Sequence, residues 1–438
     1  MIDKSTFNGG TVEYHTFGCK LNFSETSTIG KILAERGFRR VSYGEIPDIV
    51  VVNTCSVTEV ADRKGRHLIH RLTKKYPEAL VIVTGCYAQL KGNEIARIPG
   101  VDIVLGSEQK LEISEFIDKW LVKREQTVEI TPGKDIRKFS HSCEKGDRTR
   151  YFLKVQDGCD YFCSYCTIPF ARGRSRSDSV ESIVADARHV AEEGGKEIII
   201  TGVNIGDFGK RTDENFYDLV KALDEVDGIE RYRISSIEPD LLTDEIIELV
   251  AGSKRFMPHF HIPLQCGSDE VLKIMRRHYD TKLFAAKMEK IKEIIPDAFI
   301  GIDLIVGMRG ETDKLFQESY DFCDSMDITR LHVFPYSERP GTTALNLEYV
   351  VTPKEKALRA RKMIELSDRK LKAFTEKYVG TTRKVLFEQP KPGMPMHGFT
   401  DNYLRIETPY VKELINTIGE VKLGQPNEEM TLISELVK

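Results

Sequence analysis

Residues 151–166 read YFLKVQDGCDYFCSYC, in which a predicted strand, Tyr151–Val155, runs into a loop that carries three cysteines at the spacing C-x3-C-x2-C. These cysteines, here called the central triad, are Cys159, Cys163 and Cys166. Three thiolates do not complete the four-ligand shell of a structural zinc ion, but they can bind three irons of a 4Fe–4S cluster and leave the fourth iron open. The alternative is a zinc site that takes Cys143 or a histidine as its fourth ligand.

Strand–helix units continue downstream of this loop. The strands are predicted at Tyr151–Val155, Glu197–Thr201, Arg231–Ser235, His259–Leu264, Phe299–Val306 and Arg330–Pro335. Strands that alternate with helices indicate a parallel sheet with crossover helices. Six units favour an open (β/α)6 partial barrel over the closed eightfold form.

Polar residues follow several of these strands. Parallel α/β folds bind ligands at the carboxyl ends of their strands, so these positions predict a shared cofactor pocket. Any single one of them is more often a cap or turn residue. The candidates at strand ends are Gly202, Asn204, Ser236, Glu238 and Gln265.

The first part of the chain, residues 11 to 124, also alternates strands with helices, which predicts an open parallel α/β domain. Three cysteines, here called the N-terminal triad, each end a predicted strand in the segments YHTFGC, DIVVVNTC and LVIVTGC: Cys19, Cys55 and Cys86. Because such strand ends meet at one edge of a sheet, the three thiols can converge and bind a second cluster. The alternative is three buried small apolar side chains, since free cysteines are commonly buried.

The rest of the chain falls into a linker, a helix and a barrel. Residues 125–149 are polar and without period, which predicts a linker with at most one short strand. A basic helix is predicted over Lys354–Lys377, and the short strand-like runs after Gly380 predict a small antiparallel β-barrel. The α/β fold is therefore predicted as three domains, at 1–130, 145–375 and 376–438.

Composition excludes several classes of protein. The chain has 438 residues with a net charge of −4, which excludes a histone-like coat of positive charge. Its nine cysteines do not form the dense pattern of a secreted disulfide scaffold. The segment MIDKSTFNGG has no apolar run of the signal-peptide type, and no run reaches the ~18 apolar residues of a membrane span. We therefore expect a cytoplasmic protein with no membrane segment.

The segment GCDYFCSYCTIPFARGRSRS, residues 158–177, closely resembles the signature of the radical S-adenosylmethionine methylthiotransferases. The resemblance covers nearly the whole chain and implies an N-terminal cluster-binding domain, a central radical domain and a C-terminal TRAM domain that binds RNA. It implies that the central triad holds the catalytic 4Fe–4S cluster and the N-terminal triad an auxiliary one. It also implies two uses of S-adenosylmethionine, as radical source and as methyl donor, and adds Tyr165 to the cofactor-binding candidates.

Two further segments resemble one branch of that family. TFGCKLNFSET and NTCSVTEVADRK, which begin at Thr16 and Asn53, are similar to enzymes that act on N6-threonylcarbamoyladenosine next to the tRNA anticodon. Action on N6-isopentenyladenosine of tRNA or on a ribosomal protein side chain is the alternative. A non-catalytic zinc-bound RNA module is a third hypothesis.

The resemblance also implies partners and contacts. They are the anticodon loop of tRNA and an electron donor such as flavodoxin or ferredoxin, and we expect a monomer. The predicted phosphate contacts beside the central triad are Arg172, Arg174 and Arg176, although a run of charge is often only a solvated surface. The chain departs from the family pattern at Cys266, Met308 and Arg309, whose roles the sequence leaves open.

Overall fold

The computed structural model describes residues 10–145 and 149–437. Their strands, numbered in chain order, are β1 Thr11–Thr16, β2 Arg39–Arg40, β3 Ile49–Thr54, β4 Leu80–Gly85, β5 Ile103–Leu105, β6 Thr127–Glu129, β7 Cys143–Glu144, β8 Tyr151–Lys154, β9 Gln156–Asp157, β10 Arg176–Ser177, β11 Glu197–Thr201, β12 Arg231–Ile234, β13 His259–Gln265, β14 Phe299–Val306, β15 Arg330–Pro335, β16 Thr382–Phe387, β17 Met396–Thr400, β18 Arg405–Thr408, β19 Ile418–Pro426 and β20 Leu432–Leu436. Their α-helices are α1 Lys20–Glu35, α2 Glu59–Lys75, α3 Cys86–Ala96, α4 Ile113–Lys123, α5 Ile168–Arg172, α6 Val180–Glu192, α7 Phe216–Asp224, α8 Asp244–Gly252, α9 Asp269–Ile274, α10 Thr281–Ile294, α11 Asp313–Ser325 and α12 Pro353–Glu376.

The described chain divides into two compact units. The first, here called the cysteine unit, contains residues 10–145, 156–177 and 337–342. The second, here called the barrel unit, contains residues 149–155, 178–336 and 343–437. Both cysteine triads belong to the cysteine unit. The three-domain scheme with boundaries near residues 130 and 376 stays a prediction.

The cysteine unit is built on a parallel sheet with the strand order β2-β1-β3-β4-β5-β6. Side chains of β3 alternate between its two faces. Val50 and Val52 join a core with helices α2 and α3, whereas Ile49 and Val51 join a core with α1 and α4. A sheet covered by helices on both faces requires strands that are apolar throughout, and residues 49–52 are indeed fully buried. The predicted parallel α/β fold is confirmed, and the predicted linker contributes its edge strand, β6.

The barrel unit begins with six parallel strands in chain order. Strands β8, β11 and β12 are neighbours, as are β13, β14 and β15. An isolated parallel bridge between Ser236 and His261 joins the two groups. Five of the helices start at a residue whose side chain accepts a hydrogen bond from the backbone N–H three positions on: Ser179, Asn215, Thr243, Asp280 and Thr312. The predicted (β/α)6 partial barrel is confirmed.

The C-terminal strands form a closed barrel in the order β16-β17-β18-β20-β19. Its interior is filled by apolar side chains such as Val385, Ile406 and Val421, each fully buried. Strand β20, which the sequence did not reveal, closes the barrel by pairing with β18 and β19. The β18–β20 pair is parallel, and the other four pairs are antiparallel.

This terminal barrel packs onto the amino ends of the partial-barrel strands. Tyr403 lies 4.2 Å, between ring centroids, from His259, the first residue of β13. Arg233 is buried beside them, and its Nη atoms donate to the carbonyl oxygens of Thr400 at 2.7 Å and Asp401 at 2.8 Å. Its Nε donates to the buried Glu197 carboxylate at 2.9 Å. One guanidinium therefore joins the two barrels.

The long helix α12 is amphipathic. Thr352 and Glu355 form a capping box at its start, with Pro353 in the first turn. Arg359 is buried against Glu311 at 3.0 Å and Asp313 at 2.7 Å, so part of the positive charge of the helix is neutralised within the barrel unit. No helix within residues 10–145 and 149–437 is long and apolar enough to cross a membrane.

We expect Arg233→Met to lower the free energy of unfolding by about 3 kcal/mol, because two buried carbonyl groups lose their donor and the Glu197 carboxylate keeps only the longer contacts to Arg231 at 3.7 Å and Arg150 at 4.0 Å. Urea unfolding followed by circular dichroism measures this loss. The matched control is Arg361→Met, which removes an exposed arginine of α12. Equal unfolding midpoints for the two variants would contradict the assigned role of Arg233.

Candidate cluster-binding site and cofactor pocket

The N-terminal triad lies at the carboxyl ends of three neighbouring strands. Cys19 caps α1 just after β1, Cys55 follows β3, and Cys86 opens α3 directly after β4. The strand order places β3 between β1 and β4, so the three thiols share one edge of the sheet. Burial raises the pKa of Cys55 to about 12, and the nearby Cys86 and Cys19 thiols act in the same direction.

Two glycines allow this convergence. Gly18, just before Cys19, has φ +110, and a Cβ atom there would lie 3.1 Å from the Cys55 sulfur. Gly85, just before Cys86, has φ +97, and a Cβ atom there would lie 2.6 Å from the backbone nitrogen of Thr54. Both positions need the left-handed region and a close approach to the end of β3, which only glycine provides without strain.

The central triad lies on a loop closed at its base by an antiparallel pair of short strands, β9 and β10. A Cβ atom on Gly158 would lie 2.7 Å from the Gly173 carbonyl oxygen, so the two ends of the loop touch. Backbone N–H groups point at two of the sulfurs, from Tyr161 to Cys159 at 3.5 Å and from Ile168 to Cys166 at 3.4 Å. Such donors favour the thiolate form that binds metal.

Arg172 is completely buried between the two triads. Its Nη1 atom donates to Glu25 Oε1 at 3.0 Å and to Asp157 Oδ1 at 3.1 Å. Its Nη2 atom donates to Asn22 Oδ1 at 2.7 Å and to Glu25 Oε2 at 3.2 Å. Glu25 also binds the Lys110 ammonium at 2.5 Å. We call these five residues the Arg172 network; it joins helix α1, behind Cys19, to the loop of the central triad.

The predicted phosphate contact is therefore wrong for Arg172, because its side chain is 2% exposed and its donors face the carboxylates of Glu25 and Asp157 and the amide of Asn22. Burial by itself lowers the pKa of Arg172, but the charges of Cys86, Glu25 and Asp157 outweigh it and raise that pKa.

The other two predicted phosphate contacts are Arg176 and Arg174. Arg176 forms an ion pair with Asp157 at 3.2 Å and donates to the carbonyl oxygen of Lys138 at 2.8 Å. Arg174 is the most exposed of the three: its side chain is 52% exposed, its Nη1 donates to Asp160 Oδ1 at 3.4 Å, and its guanidinium lies over the Phe162 ring at 4.6 Å.

The donor set fits an iron–sulfur cluster at each triad. Within residues 10–145 and 149–437, no three histidine, cysteine or acidic side chains converge on a single ion position. A cluster does not require that, because each of its thiolates binds a different iron. Three thiols at one sheet edge, and three on one loop with N–H donors aimed at the sulfurs, are arrangements that this chemistry uses.

Five predicted cofactor-binding residues end three neighbouring strands of the barrel unit, and Tyr165 lies in the cysteine unit. Gly202 and Asn204 follow β11, Ser236 and Glu238 follow β12, and Gln265 ends β13 with φ +63 at a register shift. Burial raises the pKa of Glu238 to about 7, against the opposing effect of its ion-pair partner Arg277.

Sequence reasoning missed a polar group on β13, β14 and β15 of the barrel unit. His261 Nε2 lies 2.9 Å from Asp303 Oδ1, and the His261 ring stacks on His332 with 5.2 Å between centroids. His261 pairs in register with Gly301 of β14, whose missing side chain leaves room for the two imidazoles to meet across that strand. Their alternation with buried apolar residues along β13 and β15 was the available signal.

The departures from the family pattern occupy structural positions. Cys266 and Met308 are fully buried. Arg309 donates to the carbonyl oxygens of Leu345 at 2.8 Å and Leu347 at 3.1 Å. Each of the three therefore has a packing or bracing contact within the barrel unit.

Two family models match separate parts of the chain. Residues 153–323 match the radical SAM superfamily, and residues 11–106 match the uncharacterized protein family UPF0004. The radical S-adenosylmethionine methyltransferase TsrM from Kitasatospora setae superposes with a TM-score of 0.57 over 74% of this chain and 73% of its own, at 13% identity, which supports the fold alone.

Several full-length relatives are closer in sequence. The threonylcarbamoyladenosine tRNA methylthiotransferase MtaB of Bacillus subtilis is 38% identical over 96% of this chain and 95% of its own. The protein of the same name from Thermotoga maritima is 35% identical over 96% and 95%. A tRNA-2-methylthio-N(6)-dimethylallyladenosine synthase from Pelotomaculum thermopropionicum is 32% identical over 86% of each chain. On this identity and coverage, the chain belongs to the radical S-adenosylmethionine methylthiotransferase family, of the MtaB type.

Proposed function

We propose that this protein replaces the hydrogen on carbon 2 of N6-threonylcarbamoyladenosine, at position 37 of tRNA, with a methylthio group, giving 2-methylthio-N6-threonylcarbamoyladenosine. The observation that carries the proposal is a pair of cysteine triads in one compact unit, joined by the Arg172 network. The names of the MtaB relatives support this substrate. N6-isopentenyladenosine is the second candidate, because a relative named for that modification is 32% identical.

Each triad is proposed to hold one 4Fe–4S cluster. When bound at the central triad, a cluster with an open iron supplies one-electron chemistry on S-adenosylmethionine, which an aromatic C–H bond requires because it is not acidic. The protein itself positions the cysteine sulfurs. The N–H groups of Tyr161 and Ile168 hold two of the sulfurs, and the Arg172 network fixes the base of their loop through Asp157.

S-adenosylmethionine, as radical source and methyl donor, is proposed to bind at the carboxyl ends of β11, β12 and β13. The proposed contacts there are Gly202, Asn204, Ser236, Glu238 and Gln265. Tyr165, on the loop of the central triad, is proposed separately as a cofactor contact. The buried ion pair between Glu238 and Arg277 would hold that carboxylate in one orientation, which suits recognition of a polar ligand.

Arg174 is the proposed contact to the tRNA anticodon loop. It offers an exposed planar cation over an aromatic ring, Phe162, within the loop of the central triad. Cations and aromatic rings together are what proteins use to bind phosphates and unstacked bases. We propose that the terminal barrel is a TRAM domain and that flavodoxin or ferredoxin is the electron donor. The protein is proposed to be a cytoplasmic monomer.

The cysteine assignments predict iron content. After anaerobic reconstitution we expect about eight irons per chain. The content should fall to about four for Cys55→Ala and for Cys163→Ala, because each substitution removes one of the three ligands of a cluster. Iron analysis with visible absorption measures this. Cys143→Ala, a substitution outside both triads, is the matched control and should keep the full content. Four irons in the parent protein, unchanged by Cys55→Ala, would exclude the auxiliary cluster.

Arg174→Gln should weaken tRNA binding and reduce the slope of log affinity against log salt by about one, because one phosphate contact is lost. Titration of anticodon stem-loop RNA at several salt concentrations measures both quantities. The control is Arg97→Gln, an exposed arginine in the same unit. If Arg174→Gln and Arg97→Gln show the same salt dependence of RNA affinity, Arg174 does not contact the RNA.

The substrate is tested by mass spectrometry of tRNA nucleosides. In a strain that lacks this gene and has no second enzyme for the modification, 2-methylthio-N6-threonylcarbamoyladenosine should disappear and its unmodified precursor should accumulate. Return of the gene should restore the product, and the Cys163→Ala form should not. Loss of 2-methylthio-N6-isopentenyladenosine instead would establish the second candidate.

A further inference from the structure

We propose that the buried charges behind the N-terminal triad set the reduction potential of its cluster, with Arg172 and Lys110 raising the potential and Glu25 lowering it. The inference rests on the proposed function only in taking an iron–sulfur cluster to be bound by Cys19, Cys55 and Cys86. It concerns positioning residues, since none of the three charged side chains is itself a ligand.

The three charges are enclosed by protein. The side chains of Glu25, Lys110 and Arg172 are 0%, 1% and 2% exposed. Glu25 Oε1 accepts a hydrogen bond from Arg172 at 3.0 Å and forms an ion pair with Lys110 Nζ at 2.5 Å. Because water does not screen these groups, their fields act at a low effective dielectric and reach further than surface charges do.

Shared atoms place the charges next to the triad. Asn22 Oδ1 accepts the 2.7 Å hydrogen bond from Arg172 and also lies 3.9 Å from the Cys19 sulfur. Asn22 Nδ2 donates to the carbonyl oxygen of Thr54, the residue before Cys55, at 3.1 Å. One amide side chain thus spans the distance between the guanidinium and two of the three cysteine positions.

The buried charges behind the N-terminal triad have a net positive sum, which fits a negatively charged cluster with its thiolate ligands. The network and its neighbour Arg176, which lies 3.2 Å from Asp157, bring three cations and two carboxylates into this buried region. Thiolates bound to iron add negative charge to the same region. Burying cations is favourable only beside negative groups, so this arrangement suits a thiolate-bound cluster better than three neutral thiols.

Reduction of the cluster adds one electron from an external reductant, and no covalent bond forms or breaks. A nearby cation stabilises the more negative, reduced form and raises the reduction potential, whereas a nearby carboxylate has the opposite effect. The three residues therefore give three signed expectations. A role limited to holding the fold together would not produce shifts of opposite sign.

The test uses the full-length chain with Cys159, Cys163 and Cys166 changed to Ala, so that only the N-terminal cluster titrates. Potentials are measured with dithionite and mediator dyes, followed by visible absorption and electron paramagnetic resonance. We expect Arg172→Gln and Lys110→Met to lower the potential and Glu25→Gln to raise it. Arg172→Lys should stay near the parent value, and Arg97→Gln, an exposed arginine, should equal it.

Equal potentials in all variants, or shifts of one sign for Arg172→Gln and Glu25→Gln, would overturn the inference while each protein still carries about four irons. If Arg172→Gln fails to load iron, the near-isosteric Glu25→Gln and the charge-preserving Arg172→Lys supply the comparison. An unchanged potential leaves the proposed function standing, because the nucleoside product is measured separately. If the starting protein of this test, with Cys159, Cys163 and Cys166 changed to Ala, binds no iron, the proposal of an auxiliary cluster is itself refuted.

Discussion

A guanidinium ion cannot stay buried without partners, and in the cysteine unit this requirement joins two parts of the chain that lie far apart in sequence. Arg172 meets it with Glu25 on helix α1, 147 residues away, and with Asp157 at the base of the loop of the central triad. Leaving any of these groups unpaired would cost several kcal/mol, on the order of 3 to 5. The sheet edge and the loop are thereby held as one body, and both triads are carried on it.

Most of the secondary structure could be predicted from the sequence because buried strands of parallel sheets are apolar along their whole length. Strands β11 and β14, which are mostly apolar and buried, have the predicted bounds, and so does β15, which is only partly buried. The strands that were missed have another character. Leu432–Leu436 reads LISEL and Thr127–Glu129 reads TVE, so neither contains a continuous apolar run, and only their tertiary neighbours decide that they pair.

The candidate site divides in the same way. Cysteine spacing and position after strands are local patterns, so both triads were identifiable, and their assignment as cluster ligands stays a prediction. A run of arginines carries no information about burial, which is why Arg172 was misassigned to phosphate. Glu25 and Lys110 had no local signal at all, because Lys110 meets Glu25, and Glu25 meets Arg172, only once α1 and the segment after β5 are folded together.

The two glycines that precede Cys19 and Cys86 impose an asymmetry on how this chain can change during evolution. The segments between the three N-terminal cysteines cross over the sheet as helices and loops, and surface loops tolerate insertions well. Gly18 and Gly85 have no such freedom, because a Cβ atom at Gly18 would collide with Cys55 and one at Gly85 with the end of β3. The lengths between the cysteines can therefore drift among descendants of this protein, whereas the dipeptides Gly18-Cys19 and Gly85-Cys86 must be inherited as pairs.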